Sequence, residues 1–115
     1  VADMKQIKVY SFETTVSVMV INGHRSIACA DMDLMDDFWY LCRLKVTPEN
    51  QRQGWGRKMV EKLKEEAGDL PIIVQPGGYV ETSMKIKKAF YHACGFEDFE
   101  DGMRLKTKQG KENDC

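Results

Sequence analysis

Residues 46 to 66 read VTPENQRQGWGRKMVEKLKEE. Within them, Gln51-Arg52-Gln53-Gly54-Trp55-Gly56 sets two glycines around a tryptophan at the start of a helical pattern. Glycine at a helix start weakens the helix by roughly 0.5–1 kcal/mol relative to alanine, so something else must offset two of them. A ligand that needs bare backbone would do so. The first N–H groups of a helix lack partners within it, and the macrodipole adds about half a positive charge at that end. A strand, a glycine turn and a helix N-terminus in succession therefore suit an anion such as phosphate.

Three phosphate-binding patterns can be compared with this turn. The Walker A pattern needs Gly-Lys-Ser/Thr, and GWGRKMV lacks it. The dinucleotide pattern needs a third glycine where Met59 stands, and no βαβ start precedes it. The third pattern, Q/R-x-x-G-x-G/A, fits Gln51 through Gly56. Other reactive residues show no comparable spacing. Cys29, Cys42, Cys94 and Cys115 form no C-x-x-C pair, and His92 and Cys94 point to different faces of a predicted helix, so no metal site is expected. Reduced thiols suit a cytoplasmic protein.

The elements that position the turn follow from pattern. Residues 5–13 alternate Ile7, Val9 and Ser11 with Lys8 and Tyr10, and residues 14–21 place Val16, Val18 and Val20 on one face. Asn22-Gly23 signals a hairpin, and residues 24–31 return. Residues 32–37, MDLMDD, read as a polar turn. Residues 37–46 are apolar on both faces at several points and predict a central strand covered on both sides. The helix after the glycines carries Trp55, Met59, Val60, Leu63 and Ala67 on one stripe and stops at Gly68. Residues 71–76 predict a short strand. A second helix starts at Thr82 or Ser83 with the stripe Ile86, Ala89, Phe90, Ala93 and Cys94, and ends at Gly95. A final hairpin surrounds Gly102. The order is β-β-β-β-α-β-α-β-β, a mixed α/β arrangement.

The charge balance is 17 basic against 18 acidic residues, net -1, which argues against a nucleic-acid or membrane-surface binder. No apolar run approaches the ~18 residues of a membrane helix. The start, VADMKQIKVY, lacks a signal-peptide layout, and beginning at Val1 suits a processed or trimmed terminus.

Taken together, Val46-Thr47-Pro48, then Gln51 through Gly56, then a helix, resemble the core signature of the GCN5-related N-acetyltransferase (GNAT) superfamily. Downstream, AFYHACGF at residues 89–96 is similar to the family's helix ending in Gly-Phe, with Tyr91 four residues before Gly95. The resemblance covers roughly residues 5 to 107. It implies a mostly antiparallel mixed sheet of about seven strands flanked by two helices. It also implies a single acetyltransferase-like domain over residues 1–107, with a polar tail over residues 108–115. Acetyl-CoA is the implied cofactor, and the acceptor an amine on a small molecule or protein. Backbone groups of Leu44, Lys45 and Val46 would pair with the pantetheine arm. Amides of Gln51, Arg52, Gln53, Gly54, Trp55, Gly56 and Arg57 would hold the pyrophosphate, and Tyr91 would be the general acid.

The chain departs from the family pattern at three places. Tyr40 stands at one position where relatives carry a carboxylate, and Asp36 and Asp37 lie only at the strand's start, so the base is a water or absent. Ile86 replaces an asparagine, which removes one cofactor hydrogen bond. The first two strands leave no room for the usual intervening helices, which opens the acceptor side. These departures favour an alternative, a non-catalytic GNAT-fold protein that binds a partner protein. Other features read more simply. The acidic run 31–37 is a solvated turn, Lys85, Lys87 and Lys88 form a solvated helix face, and Trp55 belongs to the core stripe. Cys94 sits in an apolar stripe with no activating base.

Overall fold

The computed structural model describes residues 5–76 and 81–107, and the backbone alone of residues 81–83. Strands β1 (Lys5–Phe12), β2 (Thr15–Asn22), β3 (Arg25–Leu34) and β4 (Trp39–Val46) form a meander. A short 3₁₀ turn, Pro48–Asn50, leads to α1 (Trp55–Ala67), and then come β5 (Ile72–Val74), α2 (Glu81–Ala93), β6 (Glu97–Phe99) and β7 (Gly102–Leu105). The seven strands form one sheet in the order β1-β2-β3-β4-β5-β7-β6. All pairings are antiparallel except β4 with β5. This is the expected sheet with its two helices.

Two-residue turns set the meander's register. Phe12 pairs with Thr15, so Glu13 and Thr14 are the whole connection from β1 to β2, and no helix fits between them. Asn22 pairs with Arg25, so the second turn is Gly23-His24, one residue later than expected, with the positive φ of 64° on Gly23. Residues 32–34 are strand rather than turn. Both neighbouring strands extend far enough to pair with them: Asp33 lies opposite Thr15 on β2 and Tyr40 on β4.

α1 buries Met59, Val60, Leu63 and Ala67 over β2, β3 and β4, with Trp55 partly buried at its start. Facing it are Val16, Val18, Val20, Ala28, Ala30, Met32 and Leu41, all buried. α2 lies on the same side. Gly95 after it meets Leu105, and Phe90 meets Gly56 of α1. The inward face of α2 differs from the predicted stripe. Phe90, Tyr91 and Cys94 turn inward, whereas Ile86 is 66% exposed and Ala89 and Ala93 are exposed too. Two overlapping stripes were available. Two aromatic rings bury 150–250 Å² each, which outweighs one isoleucine and two alanines. Thr82 and Ser83 lie inside the first turn of α2, and the residue before Glu81 is outside the described residues, as are residues 108–115 of the expected tail.

The other side of the sheet carries no helix among the described residues. β4 is central, but among the described residues helices cover only one of its faces. The exposed face is held by polar side chains across strands. Thr15 Oγ1 donates to Asp33 at 3.0 Å, Ser17 Oγ to Asp31 at 2.7 Å, and Arg43 Nε to the other oxygen of Asp31 at 2.7 Å. Asp31 and Asp33 are thus strand residues that organise this face, and only Asp36 and Asp37 of the acidic run lie in the bend. No described helix is long and apolar enough to cross a membrane.

Candidate functional site

The site is built where the sheet comes apart. β4 and β5 pair only at Trp39↔Ile72 and Tyr40↔Ile73. β5 ends at Val74, while β4 runs on to Val46 with its edge open. A bulge helps to steer it. The β3–β4 register changes between Asp31↔Arg43 and Met32↔Leu41, which leaves Cys42 as the extra residue. Beyond the bulge, alternation decides which backbone groups reach the open edge. Thr47 N–H donates to Ile27 O at 2.9 Å, so Thr47 and Lys45 face β3. Leu44 and Val46 face outward. The Val46 carbonyl accepts from Gln51 Nε2 at 2.9 Å, which ties the following loop to the strand.

That loop forms a cradle of amides. Gln51 N–H bonds back to Pro48 O at 3.3 Å, and the first helical bond is Lys58 N–H to Gly54 O at 3.0 Å. Between them, no described group accepts from the amides of Arg52 through Arg57. Arg52 has φ 64° and Gly54 φ 90°. Left-handed residues of this kind turn successive N–H groups toward one concavity. An arginine there is strained by about 1–3 kcal/mol. No acidic residue stands in the first turn of α1, so the helix dipole is uncompensated. A Cβ on Gly54 would meet nothing within 4 Å, so the space above it is open. Donors, field and space all fit an anionic group such as a pyrophosphate.

The side chains of the loop serve the scaffold. Arg57 Nη2 donates to Ala93 O at 2.7 Å and closes the C-terminus of α2. Trp55 Nε1 donates to Gln53 at 3.3 Å and its ring lies 4.7 Å below Lys58 Nζ. Gln53 Nε2 donates to Glu49 O at 3.4 Å. Gly56 is bare for a different reason from Gly54. A Cβ there would lie 2.9 Å from Cε1 and Cζ of Phe90. Gly56→Ala is therefore expected to lower the melting temperature, although alanine gains about 1 kcal/mol in helix propensity. In a Phe90→Leu background, which removes both clashing atoms, the same change is expected to raise it. The same sign in both backgrounds would refute the contact.

Tyr91 is the third feature the sequence pointed to. Its spacing to Gly95 is a helix-ending motif. Phe96 N–H bonds to Tyr91 O and Gly95 N–H to His92 O, each at 3.0 Å, with Gly95 at φ 104°. The rings of Tyr91 and Phe96 lie 5.2 Å apart. This is a Schellman cap with its apolar contact, so the Tyr-x-x-x-Gly-Phe pattern has a purely structural function. The hydroxyl is separate from that function. The residue is 7% exposed, burial pushes its pKa up to about 12, and no described group hydrogen-bonds to it. Burial also raises the neighbouring Cys94 thiol, against the pull of Arg57.

Sequence reasoning missed one feature. On the helix-free face, a cavity of about 590 Å³ opens beside the last β4–β5 pair, lined by Phe38, Tyr40, Ile73, Phe99, Asp101 and Arg104 among others. Arg104 stacks on Phe99 with Cζ 4.2 Å from the ring centre. The lining comes from segments far apart in the chain, so no local pattern announces it.

A family model described as an acetyltransferase (GNAT) domain matches residues 13–98. A search of curated proteins by sequence found no match. Solved structures share the fold. The ribosomal-protein-S18-alanine N-acetyltransferase of Escherichia coli is 21% identical, with a TM-score of 0.70 over 90% of this chain and 76% of that one. A GNAT-family protein of Desulfovibrio desulfuricans is 14% identical, with a TM-score of 0.70 over 81% and 69%. The PaiA N-acetyltransferase of Thermoplasma acidophilum, solved in complex with coenzyme A, is 18% identical, with a TM-score of 0.61 over 84% and 62%. The family match spans most of the sequence and agrees with the strand order, the parted β4–β5 pair and the amide turn: the chain belongs to the GNAT acetyltransferase family.

Proposed function

We propose that the chain is an acetyl-CoA-dependent N-acetyltransferase that passes the acetyl group directly to an amine. One observation carries this reading: the open edge of β4 ends in the unpartnered amides of Arg52 through Arg57. An extended arm ending in a pyrophosphate matches that sequence of groups. Leu44 and Val46 would pair with the pantetheine arm through their backbones, and the amides would hold the pyrophosphate. Acetyl-CoA brings an activated acyl group and a thiol leaving group. The chain's own tasks are then to position that group, admit a neutral amine and hold a proton for the thiolate. Tyr91 Oη, protonated and unpartnered, suits the last task. The cavity beside Tyr40 and Ile73 would admit the acceptor, a small amine or a protein amine, from the uncovered face.

The test is release of CoA thiol from acetyl-CoA in the presence of mixed amines and peptides. Acceptor-dependent release is the expected result. CoA binding with no release across the screen would favour the alternative, a non-catalytic protein that keeps the fold, with or without CoA, and works by binding a partner protein. Failure to bind CoA at all would overturn the transferase reading and leave that alternative standing.

A further inference from the structure

The sheet has two unlike edges. β6 is three residues long, two of them acidic, and such an edge resists strand addition. β1 runs eight residues, with an unbroken register from Lys5↔Asn22 to Phe12↔Thr15. It has no proline and no bulge, two of the devices that protect an edge, and carries only the charges of Lys5 and Lys8. Apolar side chains are exposed on both of its faces: Val9 is 37% exposed on the helix side, and Tyr10 and Phe12 are 51% and 72% exposed on the other. α1 lies over β2, β3 and β4.

The ladder alternation identifies the spare backbone groups of β1. The pair Phe12↔Thr15 closes a two-residue turn and so exchanges hydrogen bonds. The same alternation carried across the sheet reproduces two bonds, Leu34 N–H to Thr14 O at 2.7 Å and Thr47 N–H to Ile27 O at 2.9 Å. It leaves the N–H and C=O groups of Ile7, Val9 and Ser11 pointing off the sheet.

We infer that β1 is a homodimerisation edge, two copies pairing antiparallel through it about a twofold axis at Val9. That register joins Val9 to Val9 and Ile7 to Ser11, so every spare group of these residues is used. It sets Lys8 of one copy beside Tyr10 of the other and Glu13 beside Lys5. Lys5 begins the strand and Glu13 follows it in the turn, so antiparallel pairing brings these unlike charges to the same end. Moving the axis to Lys8 would oppose two lysines, which is unfavourable. Val9 and Ile7 then extend the apolar layer, and the exposed aromatic rings gain neighbours. The interface is independent of the acetyltransferase reading.

Light scattering on the chain across a concentration series is expected to show twice the chain mass at the upper end. Val9→Pro removes a donor at the axis without touching the β1–β2 ladder, and it is expected to give a monomer with unchanged circular dichroism. A second variant keeps the test decisive if the proline disturbs folding. At a hydrogen-bonded pair the Cα atoms lie about 5.5 Å apart, within disulfide range. Val9→Cys, with Cys42 and Cys115 changed to serine, should therefore cross-link in air. Tyr10→Cys in the same background, with a diagonal separation of about 7–8 Å, should not. A monomeric parent, or Val9→Cys and Tyr10→Cys that cross-link equally, would overturn the interface.

Discussion

Acetyl-CoA at one hundred times its dissociation constant is expected to add about 2.7 kcal/mol of stability, a melting shift on the order of 10 °C for a domain of this size. Gly54→Val is expected to remove most of that shift. The reason lies in the backbone. Gly54 holds φ 90° at the N-cap of α1, a region that a β-branched residue enters only under strain. Valine would pull the turn away and re-aim the amides of Trp55 and Gly56, and its side chain would enter the open space above the cradle. The variant loses some stability without ligand, so the quantity to read is the ligand-induced shift and the dissociation constant, not the melting temperature itself. Gly54→Asn separates the two causes, since asparagine tolerates left-handed backbone. A retained shift in Gly54→Asn would assign the effect to backbone conformation. A full shift in Gly54→Val would place the cofactor elsewhere.

Tyr91→Phe is expected to lower kcat about 10–100-fold, the low end of what a positioned acid contributes or just below it, because a thiolate leaves with only partial help. CoA affinity should hold, because phenylalanine keeps the ring contacts with Phe90 and Phe96, both at 5.2 Å, and the backbone bonds of the helix cap. The pH behaviour gives an independent readout. With its pKa pushed up to about 12 from 10.0, the hydroxyl keeps its proton throughout the neutral and mildly alkaline range, so no alkaline limb below about pH 10 should belong to it. Linkage gives the sign for stability. Between about pH 10 and 12 the unfolded chain loses this proton while the folded chain keeps it, so stability falls as pH rises there. Tyr91→Phe should flatten that fall. Parental kcat with a good acceptor would reduce Tyr91 to its part in the cap.

The elements were legible in the sequence where one period dominated. Val16, Val18 and Val20 alternate without competition, and the stripe from Met59 to Ala67 has no rival on its helix. The amide turn was legible because glycines mark backbone, and the cradle is backbone. The face of α2 was not, because Phe90 belongs to two stripes, and only the sheet beneath could choose Tyr91 over Ile86. The close approach of the Phe90 ring to Gly56 was not legible, because that ring lies on another helix. The bulge at Cys42 has no residue signature, since it arises from how β3 and β4 divide their pairing. The second face of β4 looked buried because its apolar residues suit a layer that the described residues do not supply.

Among the described residues, β4 joins the β5–β7–β6 half through one short stretch of ladder, Trp39↔Ile72 and Tyr40↔Ile73, with Trp39 N–H donating to Pro71 O at 2.9 Å. Cooperative opening units tend to follow supersecondary motifs. The meander joins neighbours in sequence, whereas β5 reaches β4 only by crossing back over α1, a connection that closes late in folding. The sheet therefore contains a seam along the cleft proposed for the cofactor. Amide exchange should be faster in β5 and β7 than in β2 and β3, and a ligand lying along the seam would act as a clasp that lets the two halves open only together.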